Sequence, residues 1–306
     1  MIDLIGDIHG HADKLEALLQ KLGYKQNEEG VYGHPLSKVI FVGDYIDRGP
    51  KIRQTLQIVK SMVDSGNAIA LMGNHEYNAL CFDAKDMTEG GHLRKHTISN
   101  IVQHFETLAQ FKGKEKEYKA YLDWFKTLPL YYETASFRVV HACWDSESIA
   151  YLRETLVNDR LTDDLLIQSV DKNSSLYQAI EITLKGKELE LPKGVTFKDK
   201  DNKERSQVRI KWWENPSELT LRSFSVELLP EIPDEPIDMT SPNIPQSFYD
   251  TEEKNVFFGH YWMKGEPIVQ KPNVCCLDYS VAKGGKLVSY RLGEETELTS
   301  ANLSYV

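Results

Sequence analysis

The chain has 306 residues, 41% of them hydrophobic and 27% charged, with a formal net charge of −10. This is enough apolar material for a sizeable core and a suitable length for one α/β domain with insertions. The acidic balance argues against nucleic acid as an obligate partner, because phosphate backbones are gripped by clustered Lys and Arg. The cysteines at 81, 143, 275 and 276 show no CxxC or disulfide-framework spacing and read as reduced core thiols. No basic leader or long apolar stretch is visible, so the expectation is a cytoplasmic protein with no membrane partner.

In chain order, the run Ile2-Asp3-Leu4-Ile5 predicts a first strand. Leu15, Leu18, Leu19 and Leu22 then fall at helical spacing, with Gly23 as the stop. Val39 to Val42 predicts a second strand. Pro50 is expected at the first position of a helix striped by Ile52, Leu56, Val59 and Val63. Ile69 to Met72 predicts a third strand, completing β-α-β-α-β. Residues about 81–127, including Ile98, Ile101, Val102, Phe105 and Leu108, predict a partly amphipathic helical cap. Strands are expected at 128–133 and 136–141, and one helix near 163–184. A charged hairpin-like segment (Lys198 to Lys203) and a Pro-rich acidic loop at 230–245 follow, while Trp212-Trp213 suggests packing rather than disorder. The end returns to strands at 255–259, 274–279 and 286–292. The expected organisation is one domain over 1–306, with insertions at about 81–127 and 145–250.

Several apolar runs end on a polar residue of one chemical kind: Gly6-Asp7-Ile8-His9-Gly10, Gly43-Asp44-Tyr45-Ile46-Asp47-Arg48-Gly49, Gly73-Asn74-His75-Glu76, His141-Ala142 and Gly259-His260. Carboxylate, carboxamide and imidazole are the side chains that hold a pair of divalent metals. Buried strands would deliver them at their carboxyl ends, the edge where open α/β sheets build sites. Two metals about 3.5–4 Å apart need a bridging ligand, and a carboxylate offers two oxygens. Asp44, central among the blocks, is the best candidate. Imidazole suits Mn, Fe, Zn or Ni better than Mg. A water held between the metals would ionise near neutral pH and become the nucleophile.

Taken together and in order, GDIHG, GDYIDRG, GNHE, the His141 block and GH resemble the calcineurin-like metallophosphoesterases. The resemblance is strongest to the branch holding Ser/Thr protein phosphatases and symmetrical diadenosine tetraphosphatases, and it runs from residue 6 to 260. It implies a four-layer α/β/β/α sandwich of two mixed sheets with a dinuclear site. It also implies that Asp7, His9 and Asp44 hold one metal, and that Asp44, Asn74, His141 and His260 hold the other. His75 would be the general acid, with Asp47 holding its ring. Arg48 would bind phosphoryl oxygens with its planar fork, and Asn74 would also touch phosphate. The branch uses a second phosphate-binding arginine, for which Arg209 is the choice and Arg222 the alternative. The chain departs from the family in reading His141-Ala142-Cys143, and in Gly259-His260-Tyr261-Trp262, where many members carry a further His.

The function expected first is hydrolysis of phosphomonoesters, phosphoproteins among them, by attack of a metal-bridging water or hydroxide. The alternative is a dinucleoside polyphosphate hydrolase of the diadenosine tetraphosphate type. A metal-free scaffold is the third reading, and the presence of every ligand-type residue together with His75, Asp47 and Arg48 counts against it. His34, His92, His96 and His104 read as surface or satisfied core residues. His11 reads as a helix cap, Glu76 as a loop buttress and Asp278 as structural. Tyr45 and Tyr77 are left open between substrate contact and packing.

Overall fold

A computed structural model describes residues 1–87, 90–198, 204–241 and 244–306. Most of the charged segment expected at 198–203, and part of the loop expected at 230–245, lie outside the described residues. The protein is a mixed α/β structure that divides into two compact units, Met1–Lys185 with Lys254–Val306, and Gly186–Glu253.

In the first unit, a six-stranded sheet runs in the order Asp278–Tyr279, Lys286–Leu292, Ile2–Ile5, Lys38–Phe41, Ala68–Ala70, with Leu303–Tyr305 added on Lys286–Leu292. Ile2–Ile5, Lys38–Phe41 and Ala68–Ala70 are parallel neighbours, the product of two β-α-β crossovers. Lys286–Leu292 returns antiparallel to Ile2–Ile5. A second sheet orders Val274–Cys276, Asn255–Phe258, Phe137–Val140 and Tyr131–Glu133. Leu4, Ile40 and Val42 of the first sheet share one buried cluster with Val139, Phe257 and Cys275 of the second. Burial on both faces explains why these strands are continuous Val/Ile/Phe runs rather than alternating ones.

The two crossover helices are α1 (Ala12–Lys21) and α2 (Ile52–Asp64). Pro50 lies two residues before α2, not at its first position as expected from the sequence, and Lys51 occupies the N-cap position. The 81–127 stretch resolves into the end of α3 (Asn74–Asp83), then α4 (Ile98–Gln110) and α5 (Glu115–Phe125). In α4 the expected apolar face is turned outward: Ile98 is 82% exposed, Val102 68% and Phe105 56%, while His104 and Thr107 are the buried residues. Tertiary hydrogen bonding, described below, overrides the amphipathic pattern. After α6 (Ser146–Thr155), the single helix expected near 163–184 is two, α7 (Asp163–Gln168) and α8 (Ser175–Lys185), separated by turns at 169–174.

The second unit pairs Glu188–Glu190 with Gln207–Arg209 around its own core, which includes Leu189, Phe197, Val208, Ile210 and Phe224. Trp212 packs edge-on against both Trp213 and Tyr249. All four cysteines are buried thiols. Among the described residues, no helix is long and apolar enough to cross a membrane.

Candidate metal centre and active site

Asp7 and His9 follow Ile2–Ile5, Asp44 follows Lys38–Phe41, and Asn74 opens α3 just after Ala68–Ala70. His141 follows Phe137–Val140 and His260 follows Asn255–Phe258. Every one of these six residues is buried. Both sheets therefore deliver polar residues to one end, as the strand-end pattern predicts.

Two triads bring their donor atoms within 4.8 Å of one another: His9, Asp44 and His75, and Asp44, His141 and His260. Asp44 belongs to both. Its Oδ2 lies 3.5 Å from His9 Nε2 and 3.9 Å from His75 Nε2, and its Oδ1 lies 3.4 Å from His141 Nε2. Asn74 Oδ1 is 3.1 Å from His141 Nε2 and 2.9 Å from His260 Nδ1. Asp7 enters neither triad. Its Oδ2 accepts the His260 N–H at 3.0 Å, while its Oδ1 is buried with no hydrogen-bond partner.

The imidazoles are oriented by the backbone. His9 Nδ1 lies 2.9 Å from the Ile46 carbonyl and His141 Nδ1 2.9 Å from the Val42 carbonyl. In His9, donation from Nδ1 leaves Nε2 as an acceptor facing Asp44, whereas His141 Nε2 lies within reach of Asn74 Oδ1 and Asp44 Oδ1. His9 Nε2 is buried and makes no hydrogen bond.

Charge in the site is arranged for a cation. Burial, then Asp278 and Asp44, push the Asp7 carboxyl well above its ordinary range. Burial also opposes charge on Asp44, but His141, His75 and His9 outweigh it and hold Asp44 well below the usual carboxylate range. Burial disfavours a charged His141, yet Asp44 and Asp7 pull it up to about 10. Burial lowers His9 to about 3 in spite of Asp44. Crowded carboxylates that draw a proton onto a buried imidazole form an environment a divalent ion satisfies better. The orphaned Asp7 Oδ1 and His9 Nε2 fit the same conclusion. These residues suit one or more divalent metals.

Two glycines are needed because neighbouring carboxylates occupy the space of a side chain. A Cβ on Gly259 would lie 1.9 Å from Asp7 Oδ1, and one on Gly73 would lie 2.2 Å from Asp44 Oδ1.

Around the centre, His75 Nδ1 sits 2.5 Å from Asp47 Oδ2, leaving Nε2 directed at the triad. Glu76 accepts the N–H groups of Gly73, Asp44 and Tyr45 at 3.0, 2.9 and 2.8 Å, so it buttresses the loops that carry Asn74 and Asp44. Tyr45 and Tyr77 are packing residues whose hydroxyls reach Leu71 O and Ser169. His11 stands at the α1 N-cap position, but its ring turns back to Ile8 O instead of capping. Arg48 is partly buried and stacks its guanidinium 4.5 Å from the Trp262 ring centre.

Arg209 and Arg222 belong to the second unit. There Arg209 Nε lies 4.0 Å from Glu188, and Arg222 bonds Ile232 O, Pro230 O and Asp234. Neither is among the residues the first unit assembles. Three residues of the site escape the sequence motifs: His104 and Thr107 on Asp47, and Trp262 beside His9. Only Trp262 carried a signal, as the last residue of the Gly259-His260-Tyr261-Trp262 block.

The calcineurin-like phosphoesterase family matches residues 1–260. An asymmetrical bis(5'-nucleosyl)-tetraphosphatase PrpE of Oceanobacillus iheyensis is 32% identical over 143 residues, 46% of this chain and 54% of that protein. A symmetrical bis(5'-nucleosyl)-tetraphosphatase of Buchnera aphidicola is 24% identical over 95% of this chain and 94% of its own length. The chain spans about half the length of the first of these relatives. A protein serine/threonine phosphatase of Saccharomyces cerevisiae resembles the structure with a TM-score of 0.48 at 13% identity, covering 100% of this chain and 78% of its own. With the family matched across most of its length and the ligand-type residues gathered at one sheet edge, the chain belongs to the calcineurin-like phosphoesterases.

Proposed function

We propose that the protein is a metal-dependent hydrolase of phosphoric esters and anhydrides that acts on a dinucleoside polyphosphate. The observation carrying the hydrolytic reading is the carboxylate of Asp44, shared by two donor triads, one of which includes His75. The substrate reading draws on relatives named as bis(5'-nucleosyl)-tetraphosphatases. Those names favour a polyphosphate over the phosphomonoester expected first from the sequence. We read the two sheets as the centre of a four-layer sandwich, and Gly186–Glu253 as an insertion in a single metallophosphoesterase domain.

In this reading Asp7, His9 and Asp44 hold one ion, and Asp44, Asn74, His141 and His260 the other. Manganese, iron, zinc or nickel suits the imidazoles better than magnesium. Bound divalent ions supply Lewis-acid neutralisation of phosphoryl charge and an acidified water. Arg48 binds phosphoryl oxygens with its guanidinium fork and orients the phosphorus. Asn74 offers its amide to the same group. His75, protonated, donates from Nε2 to the departing oxygen, while Asp47 accepts at Nδ1 and stabilises the cationic ring. Arg209 is a further candidate for the phosphate chain.

The test is turnover by metal-stripped protein reconstituted with each metal, on diadenosine tetraphosphate, p-nitrophenyl phosphate and phosphopeptides. The expected result is preferential cleavage of the tetraphosphate. ADP alone marks symmetric cleavage, and ATP with AMP marks asymmetric cleavage. A preference for phosphopeptides would overturn the substrate reading. No turnover of any substrate with any metal would overturn the hydrolytic one.

A further inference from the structure

Two cations converge on one indole at the edge of the metal centre. Arg48 Cζ lies 4.5 Å and Lys283 Nζ 5.0 Å from the Trp262 ring centre. The same indole lies 5.8 Å from the His9 ring. Among the described residues neither cation has a carboxylate partner within ion-pair distance. Arg48 Nε is buried with no hydrogen-bond partner. An aromatic face can hold such cations without using their N–H donors, which leaves those donors for a ligand.

The arrangement is fixed by one carboxylate. Asp278 is buried, and its Oδ2 accepts the Trp262 N–H at 2.8 Å while its Oδ1 accepts the Ser280 N–H at 2.9 Å. Ser280 O in turn accepts the Lys283 N–H at 2.8 Å. Trp262, Ser280 and Arg48 hold φ values of 54°, 60° and 68°, left-handed conformations that non-glycine residues keep only where their surroundings impose them. Asp278 thus ties the loop carrying the indole to the loop carrying the second cation.

We propose that Lys283, held with Arg48 against the Trp262 indole, forms a subsite for a second phosphate, adjacent to the phosphoryl group that Arg48 binds. Lys283 is its binding residue, and Trp262 is a positioning residue that holds both cations. The subsite deepens the polyphosphate reading above, on which it rests for its biological meaning: a phosphomonoester would leave Lys283 without an anion, whereas a phosphate chain meets both charges.

The test compares orthophosphate with inorganic tripolyphosphate. Binding is followed by calorimetry and by competition against p-nitrophenyl phosphate. Divalent metal is kept in excess, and wild type and variants are measured side by side so that chelation cancels. Wild type is expected to bind tripolyphosphate at least tenfold more tightly than orthophosphate. Lys283→Gln should lose about tenfold for tripolyphosphate and less than twofold for orthophosphate. Trp262→Leu should weaken both ligands, and Trp262→Phe should restore most of the loss. Equal binding of the two anions by wild type, or an unchanged ratio in Lys283→Gln, overturns the subsite. Because both probes are inorganic, these results are distinguishable from failure to cleave diadenosine tetraphosphate, which bears on the substrate reading alone.

Discussion

His75 and His104 occupy the two oxygens of a single carboxylate. His75 Nδ1 lies 2.5 Å from Asp47 Oδ2, and His104 Nδ1 lies 2.7 Å from Asp47 Oδ1. Thr107 donates to the same Oδ1 at 2.6 Å and accepts the Asp47 N–H at 3.0 Å, and His104 Nε2 reaches the Tyr118 hydroxyl at 2.7 Å. Burial opposes the charge on Asp47, but the hydrogen bonds from His104 and His75 outweigh it and hold the carboxyl far below its usual range. The group that orients the proposed acid is therefore itself held by α4.

His104→Asn should act through Asp47 on His75. Loss of one partner of a buried carboxylate costs about 1–3 kcal/mol of stability. Turnover of substrates with poor leaving groups should fall about tenfold, within the range general acid catalysis contributes. Nitrophenyl phosphate, whose leaving group needs little protonation, should be less affected. The check is a series of leaving groups of graded pKa. A uniform loss across the series would leave His104 only a structural role, and the same series on His75→Asn tests the acid assignment separately.

Asp44→Asn removes charge from both triads at once. Metal-stripped wild type should gain stability when metal is returned, by about 2.7 kcal/mol at a hundredfold excess over the dissociation constant. The variant should show little gain, bind less metal by elemental analysis and lose turnover. A full metal complement in active Asp44→Asn would remove Asp44 from the bridging role.

Gly259→Ala and Gly73→Ala test the ligand loops without touching a ligand. Each new methyl would displace a carboxylate oxygen, of Asp7 in one case and of Asp44 in the other. Overpacking of this kind costs about 1–3 kcal/mol. Metal affinity should fall more in Gly73→Ala, since Asp44 serves two triads. Unchanged metal binding in both variants would mean that the loops relax freely and that these glycines do not set the ligand positions.

The same two glycines explain why so much was legible. Where Asp44 crosses over Gly73 and Asp7 over Gly259, a side chain at the crossing point would meet the carboxylate. The sequence therefore spells Gly-Asp, Gly-Asn and Gly-His at Asp7, Asp44, Asn74 and His260, and these four residues are readable as a set, with His9 and His141 in the same strand-end setting. His104 was not. It lies 57 residues from Asp47, in a helix whose apolar residues Ile98, Val102 and Phe105 face outward, so periodicity pointed to the wrong face. The Trp262–Lys283 pairing depends on two left-handed residues and on Asp278, which no pattern of residue types announces. Arg209 lies in the separate Gly186–Glu253 unit.

Away from the metals, Glu133 gathers three cations: Arg138 Nε at 2.9 Å, Arg153 at 2.7 Å and Lys254 Nζ at 2.9 Å. It thereby joins its own hairpin to α6 and to the residue where the chain re-enters the first unit. Burial raises the carboxyl, but the hydrogen bonds from Lys254 and Arg138 prevail, and the group titrates below its ordinary value of 4.5. A carboxylate depressed in the folded state contributes stability above its unfolded pKa, and that contribution is lost as pH falls through the folded value. Glu133→Gln should therefore cost about 1 kcal/mol near neutral pH, the range of a partly exposed ion-pair network. The difference from wild type should hold steady above about pH 5 and shrink steadily below about pH 4. Denaturant unfolding of both proteins across that range, with metal removed so that the metal ligands contribute equally to each, measures it. A difference that stays constant down to pH 3 would show that Glu133 acts through its shape and packing rather than its charge.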